Sequence, residues 1–401
     1  MDINVLILGT DMNAYTMARC YHELYNKKAD IIGRGEIKAT SLSKICNITY
    51  IEDFMEEKNF KKVLSKYGKK HKRTLLIGTN DELIRLMAEN STYLKEWYEF
   101  NIPTLSIVND FLNKDSFYDT YSHVLDIPKT YIYSCIEKKL EIDFLFPVVL
   151  KPGHGVNYFK NKFEGQNKVY KIETEEKLLE IIKVIEESGY KDTLIIQEFI
   201  PGDDSCLHDC IVYLNADGKM QLATFAQIGL QEHTKTGVGN CTLLVSGYSQ
   251  YGIPEELIYK IKDFMESIHY TGFAEFDFKY DQRDKKFKLF EINPRQARCS
   301  YYLTASGHNL IKYLVDDLYL NKKKKFKIEK KQIVLSFVPK TVINSNLENK
   351  KLKDKINKLI KDKHFYDPLD YKKDNSLKRK IYLFLRDINF IKKYNNKNWW
   401  D

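Results

Sequence analysis

The segment "FKLFEINPRQ", 287–296, sets a carboxylate, an amide and a guanidinium two residues apart, at Glu291, Asn293 and Arg295. Alternate side chains of an extended chain share a face, so these three are expected beside Leu289, with Phe290 and Ile292 packed on the other face. Such a row is costly to bury unless something charged lies between its members. The segment "GFAEFDFKYD" just upstream supplies Asp277, and "QRDKK" between them reads as the turn of an antiparallel hairpin. Two carboxylates and an amide oxygen from adjacent strands make an all-oxygen donor set. That set suits a hard cation, Mg²⁺ above all where phosphates complete the coordination. Arg295 offers the planar fork that can grip a transferring phosphoryl group. Lys114, opening the helix "NKDSFY", and Lys151, ending the strand "FPVVLKP", are further point charges for phosphate oxygens. The bland alternatives are a surface hairpin with incidental charges and ordinary solvated lysines.

These residues need elements to hold them. "NVLILG" followed by "TDMNAYTMARCYHELY", and "TLLIGT" followed by "NDELIRLMAE", are strand-then-helix pairs. "IPTLSIV" (102–108) reads as one more short strand. The alternation predicts a small doubly wound α/β domain over 1–110. From 111 to 322 the pattern changes to strands, hairpins and three helices. One of these, "TEEKLLEIIKVIEESGY", has a Thr174 cap and a Gly189 stop. Asp217 and Gly218 mark a hairpin turn. The stretch 153–168, "GHGVNYFKNKFEGQNK", is expected to be a loop whose glycines let it cover a phosphate site.

Composition bounds the rest. The 401 residues are 43% hydrophobic and 30% charged, ordinary for a globular chain with two or three domains. No basic leader precedes the first apolar run, and no apolar stretch approaches the roughly 18 residues that span a bilayer. Seven scattered cysteines suit a reducing compartment, so the expected location is cytoplasmic. The net charge of +9 is uneven: residues 321–401 hold 24 Lys and Arg against 9 Asp and Glu, a balance of +15, leaving −6 for the other 320. The basic region, 323–401, has three readings. It could bind nucleic acid, touch anionic lipid through Lys/Arg interleaved with Phe384, Phe390, Trp399 and Trp400, or form a solvated face, which is the default. No nucleic-acid module is recognisable, so no nucleic-acid partner is expected.

The order "LKP", "QEFIPG", "GFAEFDFKYD", "FKLFEINPR" over 109–320 resembles the ATP-grasp superfamily, carboxylate–amine ligases that bind ATP between two α+β subdomains. The resemblance implies an ATP-grasp fold preceded by a small α/β domain and followed by a basic C-terminal extension. It further implies ATP and Mg²⁺ as cofactors. Lys114 and Lys151 would contact the phosphates, and Gln197, Glu198, Phe199 and Ile200 would form a hinge. Backbone groups of Glu198 and Ile200 would read the adenine edge, and Asp204 the ribose. Asp277, Glu291 and Asn293 would hold Mg²⁺, with Arg295 and Lys151 as the catalytic pair. "LILGTDMNAYTMARCY", "NKDSFYD", "KFEGQNK", "FIPGDDS" and "FEINPRQAR" are similar, more narrowly, to the D-aspartate ligase family of peptidoglycan synthesis. That likeness implies an amino-acid substrate and a peptidoglycan precursor or muropeptide, with the β-carboxylate of D-aspartate joined to the stem-peptide lysine. The stretches 228–240, "NPRQARCS" and "KPGHGVN" depart from the family pattern, so the acid and amine stay open, as does the oligomeric state. A non-catalytic nucleotide-binding descendant is the rival, and the joint presence of Lys151, Asp277, Glu291, Asn293 and Arg295 speaks against it.

Two motifs are set aside. "CLHDC" (206–210) puts Cys206, His208 and Cys210 on one strand face, but no second ligand cluster has zinc spacing. "GTDMNAY" lacks the G-x-G-x-x-G of a dinucleotide site and reads instead as a substrate loop at a strand end.

Overall fold

The computed structural model describes residues 3–121, 123–235 and 237–396. Its first sheet is parallel, in the order Cys46–Tyr50, Ala29–Gly33, Val5–Leu8, Thr74–Gly78, Tyr98–Glu99. Val5–Leu8 is buried on both faces, as expected of a central parallel strand flanked by helices. Asp11 caps the helix Met12–Tyr25 by accepting from the Ala14 amide, and Asn80 caps Asp81–Glu89 through Leu83. Each such cap is worth about 1 kcal/mol. Gly9, at φ +108°, makes the turn between strand and helix. A Cβ there would lie 2.2 Å from Thr79 Oγ1.

The expected strand at 102–108 is a helix instead, Leu105–Leu112. Pro103 and the extended Thr104 start it, and Val108 donates to the Thr104 carbonyl. Leu105, Val108 and Leu112 repeat at helical spacing, and seven residues were too short a window to separate that from alternation. Val108 packs on Ile84 and Ala88 of the preceding helix.

The second sheet is antiparallel: Thr130–Ser134, Thr193–Glu198, Val148–Pro152, Tyr170–Ile172. The helix Glu175–Glu187 covers it by burying Leu178, Ile182 and Ile185 against Val148, Leu150, Leu194 and Ile196. The expected loop 153–168 contains a short helix, Gly155–Lys160. His154 caps it, and Tyr158 buries its ring among Phe163, Tyr170 and Tyr190.

The third sheet has eight strands. Its main path runs Lys286–Asn293, Gly272–Asp281, Leu207–Leu214, Met220–Gln231, Cys241–Ser246, Ile333–Ser336, Phe365–Tyr366. The Asp-Gly turn holds as read, with Gly218 at φ +71°. The hairpin of Gly272–Asp281 and Lys286–Asn293 also forms, but with a β-bulge: Asp277 faces Glu291 while the adjacent Phe278 faces Leu289. Phe290 is the extra residue, and it shifts the alternation by one. Leu289 and Ile292 therefore both enter the core, whereas Phe290 turns to the same side as Glu291. This corrects the expectation that Leu289 shares a face with Glu291 and that Phe290 is packed away from it. Tyr118 fixes the bulge by donating to the Phe290 carbonyl at 2.7 Å.

The basic region is only partly a solvated face. Lys327–Glu329 pairs in parallel with Met220–Gln231, and Ile333–Ser336 joins the main path of the sheet. Helix Lys350–Lys361 exposes lysines but buries Leu352, Ile356 and Leu359. The C-terminal helix, Leu377–Asn395, buries Phe390 and Tyr394 beside them, so Phe390 is a core residue and not a surface contact. Arg379 is 1% exposed: it donates to the Ala39 and Leu369 carbonyls, lies 3.2 Å from Asp374 and stacks over Tyr15. The Tyr15 hydroxyl donates to that same Asp374, tying this region to the first helix of the chain. Trp399 and Trp400 lie outside the described residues. Among the described residues, no helix is long and apolar enough to cross a membrane.

Candidate active site

The third sheet sends its charges to one face. Asp277 stands opposite Glu291 on one neighbouring strand and Asp209 on the other, and Glu275 stands opposite Asn293. The bulge brings Glu291 to the mouth of a cleft of about 340 Å³ between the second and third sheets, its side chain 41% exposed. Lys114 Nζ lies 3.4 Å from Glu291 Oε2. Burial works against the ionised form of Glu291, but Lys114, Lys168 and Lys151 outweigh it and hold its pKa below the ordinary range. Asp277 is pushed the other way, by burial and then by Glu275 and Glu291.

The second sheet and its flanking segments supply most of the cations, with Lys279 coming from the third sheet. Lys151 donates to Gln197 Oε1 at 2.9 Å, and its ammonium lies 4.8 Å from the centre of the Phe290 ring. Burial and the neighbouring Lys114 push its pKa down to about 7. Glu198 uses its amide to donate to the Lys129 carbonyl, and its carboxylate accepts from the Lys129 amide and from Arg283. Phe199 is flanked by Lys171 and Lys279, at 4.8 and 5.1 Å from its ring centre. Asp204 lines the cleft, yet its oxygens already accept from the Gln231 side chain and amide and bond His233 Nε2. The His233 ring packs on Tyr394, whose hydroxyl bonds the Gln231 carbonyl and Thr242. The C-terminal helix thus buttresses this wall.

Lys114, Lys151, Gln197, Glu198, Phe199, Ile200, Asp204, Asp277 and Glu291 all line the one cleft. Asn293 and Arg295 stand behind it. Asn293 Nδ2 donates to Asp277 Oδ2 at 3.1 Å, and Asn293 Oδ1, the oxygen expected on a cation, accepts from Arg295. Arg295 Nε donates to Asp81 Oδ1 at 2.6 Å, and its Nη1 lies 3.7 Å from Glu275. The guanidinium therefore bridges the carboxylate face to a helix of the first sheet. Of the two motifs set aside, "CLHDC" forms no cysteine–histidine cluster: His208 borders the cleft and bonds the Cys206 carbonyl and Ser249 through its two ring nitrogens, while Asp209 faces Asp277. Asp11 caps its helix beside a second hollow, about 290 Å³, at the C-terminal edge of the first sheet.

Residues behind and around the cleft escaped the sequence reading. Asp209 accepts from Tyr302 at 2.7 Å and from the Cys299 thiol, which also approaches Glu275. Burial raises the pKa of both carboxylates. Glu275 was legible as the i−2 neighbour of Asp277, but Asp209 sits on a strand nearly seventy residues away and carried no local signal. Lys168, Lys171 and Lys279 also line the cleft. Only their charge could have marked them.

No protein-family model matches the chain. Across 97% of its length it is 33% identical to the D-aspartate ligase of Enterococcus faecium (strain Aus0004), of which it covers 96%. The chain belongs to the D-aspartate ligase family. With that family it stands among the ATP-dependent ligases that form C–N bonds. Solved structures agree on the ATP-grasp fold. An L-amino acid ligase from Bacillus licheniformis superposes with TM-score 0.57 at 12% identity, over 80% of this chain and 76% of that one. An N5-carboxyaminoimidazole synthetase from Staphylococcus aureus gives 0.59 at 14%, over 83% of each. The biotin carboxylase domain of Hydrogenobacter thermophilus 2-oxoglutarate carboxylase, in a complex with MgADP, gives 0.61 at 13%, over 82% of this chain and 72% of that one.

Proposed function

We propose that this D-aspartate ligase family member activates the β-carboxylate of D-aspartate with ATP and joins it to the side-chain amine of the stem-peptide lysine of a peptidoglycan precursor. The observation that carries the reading is the cleft itself: oxygen donors on one wall, ammonium groups on the other, and 3.4 Å between Glu291 and Lys114 where they meet. The fit to a magnesium nucleotide is chemical. Asp277 and Glu291 are hard oxygen donors for Mg²⁺, Lys114 and Lys151 face the place for phosphates, and Val149, Phe199, Ile200 and Ile228 form an apolar slot for a flat base. The Glu198 amide is already paired, so of its backbone groups only the carbonyl is left to meet that base. For Asp204 to take ribose hydroxyls, Gln231 or His233 must yield.

ATP supplies the leaving group that a free carboxylate lacks. A carboxylate oxygen takes the γ-phosphoryl group and ADP departs. The amine then attacks the acyl carbon, loses a proton, and phosphate leaves with the former carboxylate oxygen. The residues of this chain contribute positioning and charge. Lys151 and Lys114 would hold phosphate oxygens, and Asp277 and Glu291 would hold the cation, joined by Asn293 once Arg295 releases its Oδ1. Arg295, reoriented from Asp81, steadies the acyl phosphate. The stretch 153–168, with its short helix, is the candidate cover that keeps water from the intermediate. The cytoplasm is the proposed location, consistent with seven free, buried cysteines.

A phosphate-release screen over D- and L-amino acids with a lysine-bearing muropeptide precursor tests this. Release is expected only with D-aspartate and the precursor together. Release confined to another acid discards the D-aspartate assignment and keeps the ligase.

A further inference from the structure

The outer face of the C-terminal helix is apolar where a solvated helix should be polar. Of the fourteen large hydrophobic side chains that stand exposed among the described residues, five sit on this one helix: Leu377, Ile381, Phe384, Leu385 and Ile391, from 36% to 75% exposed. Their spacing, with the half-buried Ile388, is i, i+4, i+7, i+8, i+11 and i+14, a single stripe. It lies opposite the stripe of Arg379, Phe390 and Tyr394, which the helix buries. Scattered exposed apolar residues are normal, whereas a continuous stripe marks a surface that is covered in use.

We propose that this stripe docks on an anionic lipid surface, with the helix lying in the plane of the interface. Charge decides the occupant. Lys378 and Lys380 flank the stripe and Lys392 closes its far end, all three exposed; the one acidic side chain of the helix, Asp387, is half-buried and paired with Arg386. Phosphate headgroups at the level of such lysines complete the arrangement, because their long stems let the ammonium groups rise beside buried Leu and Phe side chains. A second copy of this chain fits worse, since stripe against stripe would set these lysines against their equivalents. The stripe is also the convex side of a single helix, not a groove shaped for one protein segment. The inference does not depend on which acid or amine the enzyme uses.

The test uses the full chain, because the inner face of the helix belongs to the core. Cosedimentation is measured with phosphatidylglycerol/phosphatidylcholine vesicles and with phosphatidylcholine vesicles alone, and self-association without lipid by analytical ultracentrifugation. Partitioning at least tenfold stronger onto the anionic vesicles is expected, weakening with salt. The double variant Phe384→Glu, Leu385→Glu should lose at least tenfold of it. The pair Lys378→Glu, Lys380→Glu should lose the preference for anionic lipid while keeping the parent melting temperature and turnover. Equal partitioning onto both vesicle types, no partitioning, or parent-like binding by the first variant overturns the proposal. So does a lipid-free dimer that the first variant abolishes, which assigns the stripe to a second copy.

Discussion

The two walls of the cleft are built on opposite principles. The wall from the third sheet presents the carboxylates Asp277 and Glu291, backed by the buried Asp209 and Glu275, on strands whose other face is core. The wall from the four-stranded sheet presents lysines beside aromatic and aliphatic side chains. Neither wall is comfortable alone: burial and like charge push Asp277 up and Lys151 down. Only Glu291, which meets the lysines, is held firmly ionised. Each wall thus carries charge that a polyphosphate and its cation would neutralise between them. Part of the stability cost is set up for the ligand to relieve.

Removing charge from each wall in turn should separate their roles. Glu291→Gln should lower amine-dependent ADP release by about 10³-fold with the melting temperature kept, the scale of losing a group that stabilises transition-state charge. Lys151→Met should instead weaken ATP binding, by roughly 10–100-fold, the value of a charge-assisted contact, with a smaller effect on turnover. Calorimetry and single-turnover kinetics distinguish the two patterns, and identical profiles would erase the contrast between the walls. Tyr118→Phe touches neither charge set but releases the bulge that aims Glu291. Its cost should be about 1 kcal/mol of stability and a rise of about two- to fivefold in the Mg²⁺ needed for half activity.

The smallest effect lies outside the cleft, at Glu329. Burial raises its pKa, but Lys327, the Lys331 amide and His308 outweigh that and hold it at about 2, against an ordinary 4.5. A depressed folded pKa gives stability that is present above 4.5 and lost as pH falls from there toward 2. The unfolding free energy from urea titration should therefore drop between pH 6 and pH 3 by about 1–2 kcal/mol more in the parent than in Glu329→Gln, after allowance for screening.

The carboxylate wall was half legible in the sequence. Asp277 and Glu291 follow from alternation on two adjacent segments and the turn between them. The bulge at Phe290 was not legible, because an extra residue in one strand is defined only against its partner. Asp209 was hidden by distance along the chain. The lysine wall announced itself through Lys114 and Lys151 at element ends, while the pairing of Arg295 with Asp81 was hidden because Asp81 sits on a helix of the first domain. In the basic region, composition masked structure: Ile333–Ser336 is four residues among lysines, and Leu352, Ile356 and Leu359 form a stripe on a helix that is otherwise mostly Lys. Average charge describes the solvated face of such elements and is blind to the face that packs.

The contact between Tyr15 and Asp374 closes a loop of 359 residues. Closure entropy grows only with the logarithm of that length, so the finished protein loses little by it. The kinetic consequence is larger, since contacts this remote in sequence raise the contact order, with which folding slows. The first helix of the chain therefore depends on Asp374 and Arg379, at the far end of the sequence, to cover Tyr15.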